Sequence, residues 1–215
     1  GGLTTAQASV LTETQLSYMT PVQIAAIETD DLAAIDEKLS SLSKVQIGAL
    51  TTAQASTIFS LSNLPFSDVQ LTALSSTAIA GLASTDLDKL SADQITALGT
   101  EQTSNLTTTQ VAALSATQVK ALGTDDLAAF SSDQIRSLSA AGVGSMTTAQ
   151  VAAITTAQVD KLTVAQVQAL TTGQVAALTG DQIGKLTTTQ VAALSAKQIV
   201  GMETADLAAL SSDQL

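Results

Sequence analysis

The sequence predicts an all-α solenoid, a superhelix of very short helices of about seven residues, with one helix in each octapeptide repeat. Three observations predict this fold class: a step of eight residues along the whole chain, a helix-start signature in each step, and a separation of acidic from basic residues within it.

The repeat is visible in the spacing of glutamine and of the branched residue that follows it. In the C-terminal half, glutamine recurs every eight residues, Val or Ile follows each one, and Leu, Ile or Met comes three residues later. The glutamines of this run are Gln150, Gln158, Gln166, Gln174, Gln182, Gln190 and Gln198. The consensus octad is [T/S]-T-x-[Q/D]-[V/I]-x-A-L in about 27 copies. We therefore expect residues 1–215 to be a single continuous array.

The array has a few irregular places. The step between Ile35 and Leu42 is seven residues instead of eight, which is a one-residue slip. The repeats over 55–71 are irregular and contain Phe59, Pro65 and Phe66, which predicts a swollen core with a broken helix or, alternatively, a docking patch. Two glycines at 142 and 144 predict a bend. Both ends enter or leave within the pattern, so we expect the array to be part of a longer protein.

An eight-residue period excludes one long amphipathic helix. At 100° per residue the octad turns 800°, so its apolar pair drifts by about 80° with each repeat. In a strand, positions five and eight would point to opposite faces, and Ala, Gln and Asp are poor strand formers. A β-solenoid that turns between those two positions is the alternative to short helices.

A short helix that restarts in every octad explains each position. Thr187 has the place of an N-cap, and Gln190 is then the third helical residue, which gives the T-x-x-Q capping box. Leu186 and Val191 flank this signature and form the hydrophobic staple. The same three features recur along the chain, so the sequence favours helices over strands.

Charge placement agrees with helix restarts. All acidic residues except Asp88 and Asp160 occupy the first four positions of their octads, while most basic residues occupy the sixth or seventh. Acids at helix starts and bases at helix ends interact favourably with the helix dipole.

Such short helices are stable only when they pack on their neighbours. We expect positions five and eight to form the core, and position six, which holds Lys120, Arg136, Asp160 and Gln168, to face solvent. The chain must turn sharply at each Leu-Thr junction, where a single cap residue separates two helices. Spacings within the repeats indicate three or four helices in each superhelical turn.

Composition excludes most chemistry. The 215 residues contain no Cys, His or Trp, which removes thiolate and imidazole ligands, the commonest general base and most stacking surfaces. Ser41 and Lys44 form a single Ser-x-x-Lys without the partner motifs of acyl-transfer enzymes. We therefore predict no enzyme and no catalytic, cofactor-binding or metal-binding residues.

The same composition limits the partners. A net charge of −11 argues against binding nucleic acid or an anionic membrane, and no apolar run is long enough for membrane insertion. The acidic pairs Asp30-Asp31 and Asp125-Asp126 lack the spacing of a calcium loop, so we do not expect calcium binding. The expected partners are neighbouring repeats or subunits of the same protein.

The segment LTTTQVAALSAKQIVGM, residues 186–202, resembles the LTxxQVxAL octapeptide arrays of large secreted or surface proteins of Gram-negative bacteria. The resemblance covers essentially the whole chain and implies an extracellular or cell-surface stalk or adhesin-like spacer. The octad is also similar to the first helix of TAL-effector repeats, but the 34-residue period and the base-reading loop of that family are missing.

Three functions follow as hypotheses. The first is a non-enzymatic structural spacer of a bacterial surface or secreted adhesin-like protein. The second is a filament subunit that stacks head to tail. The third is an acidic mimic of nucleic acid, which is motivated by the net charge.

Overall fold

The computed structural model of the chain describes residues 2–61 and 65–214. These two ranges contain twenty-four α-helices of four to nine residues and one 3-10 helix, and they contain no strand. The all-α prediction is therefore confirmed for the described chain, and the β-solenoid alternative is wrong there. The helices group into two compact units, Gly1–Leu106 and Thr107–Leu215.

The first unit contains eleven of these α-helices and the 3-10 helix, called η1. Their bounds are α1 Thr5–Ser9, α2 Glu13–Ser17, α3 Pro21–Ala25, α4 Thr29–Ala33, η1 Asp36–Ser41, α5 Lys44–Gly48, α6 Thr52–Ser60, α7 Asp68–Leu71, α8 Ser76–Ala80, α9 Ser84–Leu87, α10 Ala92–Ala97 and α11 Thr100–Ser104.

The second unit contains the other thirteen α-helices. Their bounds are α12 Thr108–Ala113, α13 Ala116–Ala121, α14 Thr124–Ala129, α15 Ser132–Ser137, α16 Ala140–Ser145, α17 Thr148–Ala153, α18 Thr156–Val159, α19 Val164–Ala169, α20 Thr172–Val175, α21 Gly180–Ile183, α22 Thr188–Ala192, α23 Ala196–Val200 and α24 Thr204–Ala208.

The helix starts are built as the sequence predicts. In α20 the Thr171 hydroxyl accepts the backbone N–H of Gln174 at 3.2 Å, and the Gln174 Oε1 accepts the backbone N–H of Thr171 at 2.6 Å. Leu170 before the cap and Val175 after it are both buried. The capping box and the staple therefore occur together, which satisfies backbone donors that a helix start leaves unpaired.

The helices are shorter than the predicted seven residues because two extended residues separate them. Leu170 ends its octad with ψ of 133°, and Thr171 begins the next with ψ of 161°. The prediction of a single cap residue at each junction was therefore wrong. Two extended residues let the chain change direction without a glycine, and no described residue has a positive φ.

Within each unit the helices pack on the helix three octads away, except that α9 packs on the lengthened α6. In the second unit α13 contacts α16, and α16 contacts α19; in the first unit α1 contacts α4, and α8 contacts α11. One superhelical turn therefore takes three helices, or 24 residues where the octads are regular. This settles the sequence-based choice between three and four.

Positions five and eight form the core, as predicted. Val159, Val167 and Val175 at position five are fully buried, and Leu162 and Leu170 at position eight are nearly so. Position six faces solvent at Lys120, Arg136 and Gln168, whereas Asp160 is half-buried.

The seven-residue step forms η1, the one 3-10 helix of the described chain. Its Leu39 is fully buried, in the place of a position-five side chain. A 3-10 helix rises more steeply per residue than an α-helix, so it reaches the next junction with one residue fewer. The slip is thus absorbed within one repeat.

The irregular segment begins in a lengthened helix, α6, and residues 65–67 before α7 are not helical. Helix α6 runs for nine residues because Phe59 stands where a Ser or Thr cap would restart the helix. Phe59 and Phe66 are both buried in the core, so neither ring contributes to a docking patch. Residues 62–64 of this segment lie outside the described residues.

The glycines at 142 and 144 lie in a regular helix, α16, and the predicted bend is wrong. They allow close packing on both neighbours instead. A Cβ at 142 would lie 3.0 Å from Cγ2 of Val119 in α13, and a Cβ at 144 would lie 2.8 Å from the carbonyl oxygen of Ala169 in α19.

Candidate functional site: the glutamine ladder

The most organised polar feature of the described chain is a set of position-four glutamines, most of them buried, that connect turns of the superhelix. In α19, the Oε1 of Gln166 accepts the backbone N–H of Thr163 at 2.7 Å. Its Nε2 donates to the carbonyl oxygens of Ile135 and Leu138, each at 2.8 Å. One side chain therefore caps the start of its own helix and also binds the end of α15, four octads before.

The same pair of interactions recurs through both units. Glutamines with bonds of this kind, which we call the glutamine ladder, are Gln46, Gln54, Gln70, Gln102, Gln150, Gln158, Gln166, Gln174, Gln182, Gln190, Gln198 and Gln214. The acceptors lie 31 and 28 residues earlier in regular octads, and 30 and 27 residues earlier for Gln46 and Gln54, because η1 lacks one residue.

The ladder solves a problem that short helices create. The last carbonyls of every helix have no partner within the helix, and an array of very short helices has many such ends. Gln166 is only 2% exposed, so its amide makes these bonds away from water. A buried donor and acceptor that are both satisfied stabilise the fold, whereas either one left unpaired would cost about 1–3 kcal/mol.

Sequence reasoning missed this second role of glutamine, because the capping box alone explains a glutamine at position four. The signal that could have revealed it is the choice between Gln and Glu. Glu serves a capping box as well as Gln does, and the helix dipole favours it, yet no octad of this chain has Glu at position four. A carboxylate accepts but does not donate, and it occupies position four in only four octads, as Asp31, Asp86, Asp126 and Asp206. The predominance of Gln indicates that most octads use the donor.

The ladder is interrupted where another residue occupies position four. Ala78 and Gly142 have no side-chain donor. Asp206 is buried and accepts the backbone N–H of Glu203 at 3.1 Å, which retains the cap. Asp31 is also buried, and its Oδ2 has no hydrogen-bond partner in the described structure.

The residues considered for other chemistry are not brought together. The Ser41 hydroxyl donates to the carbonyl of Lys38 at 2.7 Å, a local turn interaction. In each acidic pair one residue is exposed and the other is buried: Asp30 and Asp125 are exposed, whereas Asp31 and Asp126 are buried. Within residues 2–61 and 65–214, no group of three or more His, Cys, Asp or Glu residues could hold a metal ion.

A groove of about 580 Å³ lies on the surface of the second unit beside α21, and Asp181 and Lys185 line it. Thr179 also lines it, and its hydroxyl is engaged in the cap of α21, where it accepts the backbone N–H of Gln182 at 3.3 Å. Of the helices described, none has the length and apolar character needed to cross a membrane.

Comparison with known proteins places the repeat in a family. The family model of the ALTTAQ repeat matches residues 79–116, 119–156, 151–188 and 183–215. These four matches cover more than half of the chain, and they include most of the ladder glutamines. No curated protein matches the chain.

Proposed function

The chain belongs to the ALTTAQ repeat family, and from this premise we propose that it is a structural spacer in a bacterial surface or secreted adhesin-like protein. It is a structural repeat region, and its proposed role is to set a distance and to bear load along the chain. Its partners would be neighbouring repeats or subunits of the same protein.

The observation that carries the proposal is the glutamine ladder. In the second unit, Gln158, Gln166 and Gln174 each bind a helix end four octads earlier, at distances of 2.6–3.0 Å for the two principal carbonyl contacts. Each turn is thus joined to the preceding one by buried hydrogen bonds as well as by the apolar core. Separating two turns would break both.

Repeat arrays have interactions only between near neighbours, so load is resisted repeat by repeat. Because the ladder bonds connect residues about 30 positions apart, pulling the chain ends must break them before the intervening residues extend. A protein built in this way suits a tether whose length changes little until a threshold force.

Single-molecule pulling on the 215-residue chain, held by handles at both ends, tests the proposal. We expect resistance in successive steps and a final extension of about 70 nm, the reach of a fully extended chain of this length. The variant Gln166→Glu should lower the force of one step, while Gln168→Glu, in the same helix and exposed, should not.

Extension of the wild-type chain without any resisting step, at forces that hold other folded repeats, would refute the load-bearing role. Identical force profiles for Gln166→Glu and Gln168→Glu would instead show that the ladder bonds do not contribute to the resistance. The extracellular position is a separate part of the proposal. It is tested by protease accessibility of the segment on intact cells of the source organism, where protection until lysis would contradict it.

A further inference from the structure

Two lysines occupy two of the repeats of the first unit in which position four holds no glutamine. The seven-residue repeat that forms η1 contains no glutamine, and the repeat of α9 has Asp86 at position four. Lys38 belongs to the first of these repeats and Lys89 to the second.

Both lysines donate to the carbonyl end of a helix four repeats before. The Nζ of Lys38 donates to the carbonyl oxygen of Ser9, the last residue of α1, at 2.7 Å. The Nζ of Lys89 donates to the carbonyl oxygen of Phe59, next to the end of α6, at 3.2 Å. Last-turn carbonyls are also the acceptors of the ladder glutamines.

Each side-chain bond from one turn to an earlier helix end is called a joint here, and the joint made by Lys89 is adapted to the irregular helix α6. Because α6 continues past the usual restart, its carbonyl end lies further along the chain than in a regular octad. Lysine at position seven reaches Phe59, and Asp86 accepts from the same Nζ at 2.8 Å, so the cation is paired where it enters the joint. Asp86 is itself buried.

We propose that Lys38 and Lys89 are members of the ladder, each replacing a missing glutamine as the donor that fastens one superhelical turn to the turn before it. Two other lysines of the described chain have different surroundings: Lys161 pairs with the adjacent Asp160, and Lys44, at the start of α5, is exposed. The proposal rests on the ladder geometry and is independent of the spacer function.

A consequence is that the stability of the first unit at these two lysine contacts should depend on ionic strength, whereas the stability of a glutamine contact should not. The Lys89 side chain is about half exposed, so its interaction is screened by salt, whereas the amide bonds of buried glutamines carry no net charge. Salt should therefore loosen the joints at α1 and α6 selectively.

Amide hydrogen exchange read by mass spectrometry on the full chain tests the proposal locally. Lys89→Met keeps the apolar stem and removes the donor, and we expect the opening equilibrium constant of α6 and α9 to rise about threefold to tenfold at low salt. The matched control is Lys44→Met, which makes the same charge change in the same unit and should leave exchange of α6 and α9 unchanged.

A second variant tests whether a cationic donor at this position is what protects the two helices. Lys89→Arg should retain most of the protection because it keeps a long cationic donor. Equal exchange in Lys89→Met and Lys44→Met, or the same loss of protection in Lys89→Arg as in Lys89→Met, would overturn the proposal.

Discussion

Replacing Gln166 by Glu isolates the donor half of the ladder, because the two side chains have the same length and shape. The introduced carboxylate can still accept the N–H of Thr163 and retain the cap. It loses the two principal hydrogen bonds to the carbonyls of Ile135 and Leu138, and it brings a buried negative charge against their oxygens.

The magnitude follows from these contacts. Two lost hydrogen bonds of about 0.5–1.5 kcal/mol each remove about 2 kcal/mol. A buried carboxylate facing carbonyl oxygens adds a desolvation cost of about 1–3 kcal/mol, while the helix dipole returns about 0.3–1 kcal/mol at this N-terminal position. We expect a net loss of about 3 kcal/mol in the free energy of unfolding of the second unit at pH 7.

The loss should depend on pH with a definite sign. Burial beside carbonyl oxygens raises the folded-state pKa of the introduced carboxyl above its unfolded value of about 4.3. The protonated form can donate an O–H where the amide donated an N–H. The variant should therefore approach wild-type stability at pH values below about 4, and lose stability as the pH rises through the folded-state pKa.

Urea denaturation followed by circular dichroism, with hydrogen exchange to assign the change to the second unit, measures this effect. The control is Gln168→Glu, two residues along the same helix, where the side chain is exposed and has no ladder bond. At the helix end the control should cost less than about 1 kcal/mol. If the two variants lose the same stability at pH 7, or if the Gln166→Glu loss is independent of pH, the donor argument is refuted.

Three further changes test other parts of the fold. Gly144→Ala should destabilise the second unit by about 1–3 kcal/mol, because the added Cβ meets the Ala169 carbonyl. Gly173→Ala, where no atom lies within 4 Å of the added Cβ, should stabilise it by about 0.5–1 kcal/mol. Thermal melting of both variants checks this, and equal shifts of the melting temperature would contradict the packing account. Asp206→Gln should add about 1 kcal/mol to the stability of the second unit by restoring a donor four repeats after α20. Amide exchange of α24 should then be slower, and unchanged exchange would contradict the prediction. Thr163→Ala should cost about 1 kcal/mol through loss of the cap, read from the urea midpoint, and an unchanged midpoint would contradict it.

The local features of the fold follow from the sequence because their causes lie within one octad. Thr187 and Gln190 are three residues apart and form the predicted box, at 2.7 Å and 3.2 Å. Leu186 and Val191 are buried as the staple predicts. Capping depends on backbone groups within four residues, so sequence spacing alone specifies it.

Features that depend on the next turn were harder to predict. Gly142 and Gly144 lie where α16 closely approaches its neighbours, and they do not bend the chain as predicted. In sequence, a glycine that gives room to a partner helix cannot be distinguished from one that bends the chain. The donor role of Gln166 was missed for the same reason: its acceptors, Ile135 and Leu138, are about 30 residues away. A pattern within one repeat carries no direct signal about such a contact.

Glutamine takes part both in contacts within its own octad and in contacts with an earlier turn. A side-chain amide at position four accepts from the cap of its own helix and donates to the helix end four octads earlier, both with a single neutral group. Asp206 keeps the acceptor half only, since its carboxylate holds the Glu203 N–H. Lys89 supplies a donor only, and it does so beside Asp86, which accepts from it. Asp206 and Lys89 thus each keep one part of the glutamine chemistry, whereas Ala78 and Gly142 keep neither. Only a neutral amide provides both parts, which explains why glutamine recurs in so acidic a chain.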